Sequence, residues 1–136
     1  VAGHSHKYFP ADNYGYFGRL ILNQNMSAVT AACLMVKKKL YNKINGLNEI
    51  DFKVAFNDID FCLRLAEAGY SNIYTPYCIA YHHESLSRGY EDNEEKKGRF
   101  DKECENLKAR HKKILLEGDP FYNKNLTLEI ENFSLK

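Results

Sequence analysis

Tryptophan is missing from the 136 residues, so the aromatic share of 13% comes wholly from ten tyrosines and eight phenylalanines. That share suits a packed core or a sugar-facing cleft, and composition does not choose between them. No apolar run approaches the roughly 20 residues that a membrane span needs, and the opening residues lack a charged region followed by an apolar signal core. The chain therefore reads as soluble. Charge of one sign is equally scarce: 19 basic against 18 acidic residues leave a formal net charge of +1, too weak a field to argue for nucleic acid. No CxxC pair occurs. Cys33, Cys62, Cys78 and Cys104 are far apart and three of them sit in apolar runs, which suggests buried free thiols in a reducing compartment rather than disulfides. Repeats and low-complexity segments are absent as well.

What is present, 44% hydrophobic and 27% charged residues, is enough for one core of ordinary size, hence one domain or a piece of one. Residues 1–27, with Pro10, Gly15 and Gly18 among aromatics, read as loop with one helical turn after Asp12. Residues 28–36, AVTAACLMV, are continuously apolar and predict a strand buried on both faces. Residues 37–44 turn helical in pattern and stop at Asn45-Gly46, a left-handed pair. The best defined helix starts with Asn57 as its cap, carries Asp58 and Asp60 where acids favour the macrodipole, and ends at Gly69. Two short strands are predicted at 70–75 and 77–82, either side of Pro76. A long helix follows over about 92–117, with Phe100, Cys104, Leu107, His111 and Ile114 along one buried seam. Gly118-Asp119-Pro120 breaks it. The tail is loop with one strand-like fragment at 126–130.

Two polar clusters stand out: Asn57-Asp58-Ile59-Asp60 at the helix start, and Tyr81-His82-His83-Glu84-Ser85-Leu86-Ser87-Arg88-Gly89 beyond the second strand. Separately each has an ordinary explanation. Two acids at a helix start gain about 0.3 to 1 kcal/mol each from the dipole, Arg64 pairs with Asp60 at i,i+4, and a histidine pair at a strand end can be satisfied by carbonyls. Together they offer a rigidly held carboxylate that can take a proton from a hydroxyl, an imidazole able to ligate a divalent ion, and a guanidinium fork for phosphate.

The succession VTAACLMVKKKLYNKINGLNE, VAFNDIDFCLRLAEAGYSNIYTP, YHHESLSRG and DPFYNKNLT resembles the C-terminal half of family 2 glycosyltransferases of the bacterial cell-surface polysaccharide type, including rhamnosyl- and galactosyltransferase-like members. The resemblance covers nearly the whole chain. It implies an α/β fold, the acceptor-side half of the GT-A architecture with a long C-terminal helix, spanning residues 1–136 without the nucleotide-binding N-terminal half. It also implies a nucleotide-diphospho-sugar donor, a glycan or lipid-linked acceptor, inversion at the anomeric carbon, and Mg²⁺ or Mn²⁺. Asp58 matches the family's catalytic base, although Asn57 replaces the commoner Glu before it. His82 matches the histidine that completes the metal site, with His83 as fallback. Arg88 falls where a donor diphosphate contact is expected, and Thr30, Asp60 and Glu84 join it as substrate-binding candidates.

The resulting expectation is a fragment of an inverting transferase, inactive alone, from a cytoplasmic enzyme that is either free or peripheral at the inner face of the membrane. An open edge on the 28–36 strand would drive association between copies. A non-catalytic binding or assembly module of the same ancestry is the alternative. A metal-dependent hydrolase built on His4, His6, His82 and His83 is a weaker rival, since no ordered ligand spacing supports it.

Overall fold

The structure, a computed structural model, describes residues 2–83 and 93–136. A 3-10 turn at Tyr16–Ile21 leads into β1 (Gln24–Met26), and a second such turn spans Ala31–Cys33. Helix α1 (Lys38–Lys43), helix α2 (Asn57–Glu67), strand β2 (Asn72–Tyr74), helix α3 (Glu94–Arg110) and helix α4 (Lys112–Glu117) follow. β1 and β2 pair antiparallel, with Gln24 opposite Tyr74 and Met26 opposite Asn72.

A two-stranded sheet is marginal by itself, so its attachments matter. The Asn72 amide donates to the carbonyls of Ser27 (3.0 Å) and Cys62 (2.9 Å), fastening the sheet to α2. Tyr74 donates its hydroxyl to Leu20 O at 2.9 Å. Arg19 donates to Gln24 Oε1 at 2.8 Å and to Phe121 O at 3.2 Å, and its guanidinium lies over the Phe133 ring, so the C-terminal tail is held against the N-terminal loop.

α2 supplies the centre of the core. Phe61, Cys62, Leu63 and Leu65 are buried on it, together with Phe52, Leu107, Leu126 and Phe133 from elsewhere. Its end obeys the sequence: Gly69 takes φ +85°, its N–H bonds Ala66 O and that of Tyr70 bonds Leu65 O, which satisfies two of the last carbonyls. Its start differs. Phe56, not Asn57, occupies the cap with a left-handed φ of 63°, and Asn57 is the first helical residue. One turn on, Asp60 is buried, and its N–H bonds Phe56 O at 2.9 Å as the first intrahelical bond of this start.

α1 ends at the left-handed pair Asn45-Gly46, as its residues predict. Arg64 then stitches α1 to α2: its guanidinium donates to Ile44 O and, at 2.7 Å, to Gly46 O. The long C-terminal helix forms but bends. Asn93 caps α3 by accepting from the Lys96 N–H at 2.9 Å, and His111 leaves helical geometry (φ −110°, ψ 41°) before α4 resumes.

Residues 28–36 are not a strand. They run as extended coil through the Ala31–Cys33 turn, and Met35 is 99% exposed. β1 pairs with β2 instead, while the polar backbone of the run bonds side chains: Ala31 N–H to Asp58, and Val29 O to the Cys62 thiol. With that strand goes its open edge, the basis for expecting copies to associate through it. Residues 77–82 are likewise exposed coil, and the fragment at 126–130 contributes one bridge, Leu126 to Leu135.

α3 is anchored by Glu103, a buried carboxylate whose oxygens accept the N–H groups of Lys53 (3.1 Å) and Ala55 (2.6 Å). Nothing in the sequence marks it among the neighbouring charges of that helix. Glu103→Ala strands both amides and should cost about 3 kcal/mol. Urea unfolding checks this, and a loss below about 1 kcal/mol would remove the anchoring role.

Candidate functional site

Asp58 sits in the first turn of α2, half-buried. Its Oδ2 accepts the Ala31 N–H at 3.0 Å and its Oδ1 the Ile59 N–H at 2.9 Å, so one oxygen holds the 30–33 turn and the other its own helix start. Each carboxylate oxygen has a further lone-pair site. The result is a carboxylate of fixed orientation with acceptor capacity to spare.

Thr30 caps the neighbouring turn through Oγ1, which accepts the Ala32 N–H at 3.3 Å, and it is exposed. At the far end of this turn Cys33 Sγ lies 3.5 Å from Cys78 Sγ. A chain of contacts thus runs from Asp58 through Ala31 and Cys33 to Cys78, four residues before His82. The turn that Thr30 caps is thus joined to Asp58 at one end and, at the other, to the stretch that leads on to His82. His82 and His83 are exposed. Glu84 and Arg88 lie outside the described residues.

Asp60, a substrate-binding candidate by the resemblance, is instead fully buried, and both its oxygens are spent on protein partners. Arg64 Nε bonds Oδ2 at 2.8 Å, while His111 Nε2 at 2.9 Å and Arg110 Nε at 3.1 Å share Oδ1. His111, also buried, turns its Nδ1 to Glu67 at 3.2 Å. Burial alone would raise the Asp60 carboxyl, but the hydrogen bonds from His111 and Arg64 and the charges of Arg64 and Arg110 outweigh it, leaving the group below its ordinary value. The sequence puts His111 on a buried seam but gives it no partner. The signal was there: an imidazole in an apolar seam needs something polar opposite.

All four cysteines are free, but Cys33 and Cys78 are exposed and Cys104 is half-buried, so burial holds fully only for Cys62. Burial pushes the Cys62 thiol up. His6 is buried and structural, stacked on Phe133 and accepting the Tyr16 N–H at 2.9 Å on Nε2; burial, then the Arg19 charge, lowers it. Among the described residues no three histidine, cysteine or acidic side chains gather as a metal site. Hard divalent ions want several oxygen ligands, so the described residues do not by themselves fit Mg²⁺ or Mn²⁺. No helix among them is long and apolar enough to cross a membrane.

No family model matches the chain, and no solved structure matches it. Over 135 residues it is 51% identical to a Sinorhizobium fredii protein named "Uncharacterized protein y4gI", covering 99% of this chain and 15% of that protein. Over 120 residues it is 28% identical to the O-antigen biosynthesis protein RfbC of Myxococcus xanthus, covering 88% of this chain and 9% of the relative. The chain therefore spans a small part of both curated relatives.

The depressed Asp60 carboxyl has a consequence for acid stability. A group whose folded value lies below its unfolded one stabilises the fold above the unfolded value, about pH 4, and the gain is lost as pH falls through the folded value. Asp60→Asn should melt lower than the wild type at neutral pH, and the gap should narrow steadily below about pH 4. Thermal melts of both proteins across this range test it; a gap independent of pH would show that the charge of Asp60 is not what stabilises.

Proposed function

We propose that this chain is the acceptor-side half of an inverting glycosyltransferase of GT-A type that works in polysaccharide synthesis, with Asp58 as its general base. The observation that carries the reading is the double anchoring of Asp58 by Ala31 and Ile59, which leaves acceptor capacity on a carboxylate that cannot turn away. The likeness to a protein named for O-antigen biosynthesis supports the pathway class.

In this reading an acceptor hydroxyl donates to a free lone pair of Asp58 and loses its proton there as its oxygen attacks the anomeric carbon. The bond from that carbon to the nucleotide diphosphate breaks on the opposite face, so configuration inverts. The hydroxyl belongs to a glycan or a lipid-linked sugar, and the donor is a nucleotide-diphospho-sugar. Thr30 offers an exposed hydroxyl-bearing turn beside the base, while Arg88 and Glu84 are proposed as donor contacts. Mg²⁺ or Mn²⁺, bound in the whole enzyme, would supply charge neutralisation at the diphosphate, with His82 contributing one ligand and His83 the substitute. Such an enzyme works on the cytoplasmic side, free or peripheral to the membrane.

Positioned bases contribute on the order of 10² to 10⁴ in rate. In the full-length protein Asp58→Asn should lower sugar transfer by that factor and leave nucleotide-sugar affinity unchanged, as measured by turnover and donor titration on one folded preparation. Near-normal turnover would replace the catalytic reading with that of a binding or assembly module.

A further inference from the structure

Cys33 and Cys78 are 45 residues apart in sequence, yet their sulfur atoms are 3.5 Å apart, in hydrogen-bond contact, and both residues are exposed. The remaining thiols are placed differently: Cys62 is buried against Val29 O, and Cys104 sits on α3. Two solvent-facing thiols at this separation need to close by only about 1.5 Å to reach covalent distance. Each belongs to coil rather than to a packed element, Cys33 at the end of a 3-10 turn and Cys78 in the stretch after β2, so the approach asks little of the core.

We infer that Cys33 and Cys78 form a reversible dithiol–disulfide couple, taking low-molecular-weight disulfides such as oxidised glutathione as oxidant, and that the closed form ties the Asp58-bound turn to the segment entering His82. The exchange balances without any other reactant. One cysteine thiolate attacks the glutathione disulfide, and the first glutathione leaves as a thiolate. The second cysteine thiolate then attacks the mixed disulfide at the protein sulfur, forming the Cys33–Cys78 bond and expelling the second glutathione. The two protons given up by the protein thiols end on the two glutathiones, and a dithiol reductant reverses both steps.

The location gives the bond its meaning. Ala31, whose N–H holds Asp58, is two residues from Cys33 in the same 3-10 turn. Reduction leaves the turn tethered by hydrogen bonds alone, whereas oxidation adds a covalent link from it to the chain following the sheet. This couple stands on the sulfur geometry and does not depend on sugar transfer.

The test uses the chain as it is, equilibrated with oxidised glutathione, unfolded in denaturant under acid quench, and alkylated. The expected result is a loss of two of the four alkylatable thiols, with Cys33 and Cys78 recovered as one linked peptide pair and Cys62 and Cys104 alkylated. Cys33→Ser and Cys78→Ser should each abolish the link and instead retain glutathione on the remaining partner. Stable glutathione adducts on both cysteines without an internal bond, or pairing that involves Cys104 equally, would overturn the couple. Hydrogen exchange of the Ala31 amide reads the second part: slower exchange in the oxidised form is expected, and identical exchange in both forms would overturn the tie to Asp58.

Discussion

A single carboxylate without solvent contact, Asp60, holds this structure together. A buried charge is strongly unfavourable unless its oxygens are filled by well-placed donors, and here three side chains converge to fill them. Arg64 comes from the same helix and goes on to the carbonyls that end α1. Arg110 and His111 come from the bend between α3 and α4, and His111 continues to Glu67 on α2. The helices are thus located relative to each other by a polar hub as much as by Phe61 and Leu107 beside it. Asp58 stands two residues before this hub, in the first turn of the same helix.

That division of labour between neighbouring acids is chemically sensible. Asp58 and Asp60 are identical side chains in one helical turn, and what separates them is the company each keeps. One faces backbone N–H groups at a half-open turn and keeps acceptor sites free; the other is filled by Arg64, Arg110 and His111 and has none to give.

How far the residues alone reveal this depends on the range of the interactions. α1 with its Asn45-Gly46 stop, α2 with its first-turn acids and Gly69, the pairing of Arg64 with Asp60, and β2 within 70–75 are all legible, because their causes lie within a few residues of one another. The Asp60–His111 contact joins residues 51 apart, and no local pattern announces it. The same holds for Glu103, which serves amides 48 and 50 residues away. The apolar run at 28–36 shows the opposite failure: its composition fits a buried strand, but its backbone N–H and C=O groups bond the Asp58 and Cys62 side chains instead of a neighbouring strand. The cap at Phe56 departs from the preference for asparagine at that position: Phe56 takes a left-handed φ and no side chain caps the helix.

The join between the sheet and α2 rests on the terminal NH₂ of Asn72, whose two hydrogens point to two different carbonyls. An aspartate of the same shape would have no hydrogen to offer there and would set its negative oxygens against two carbonyl dipoles. Loss of one amide nitrogen, a change of a single mass unit in which every carbon keeps its place, would therefore turn the sheet's clasp into a point of repulsion. The attachment of the sheet to α2 thus depends on a count of hydrogens rather than on the shape of the side chain.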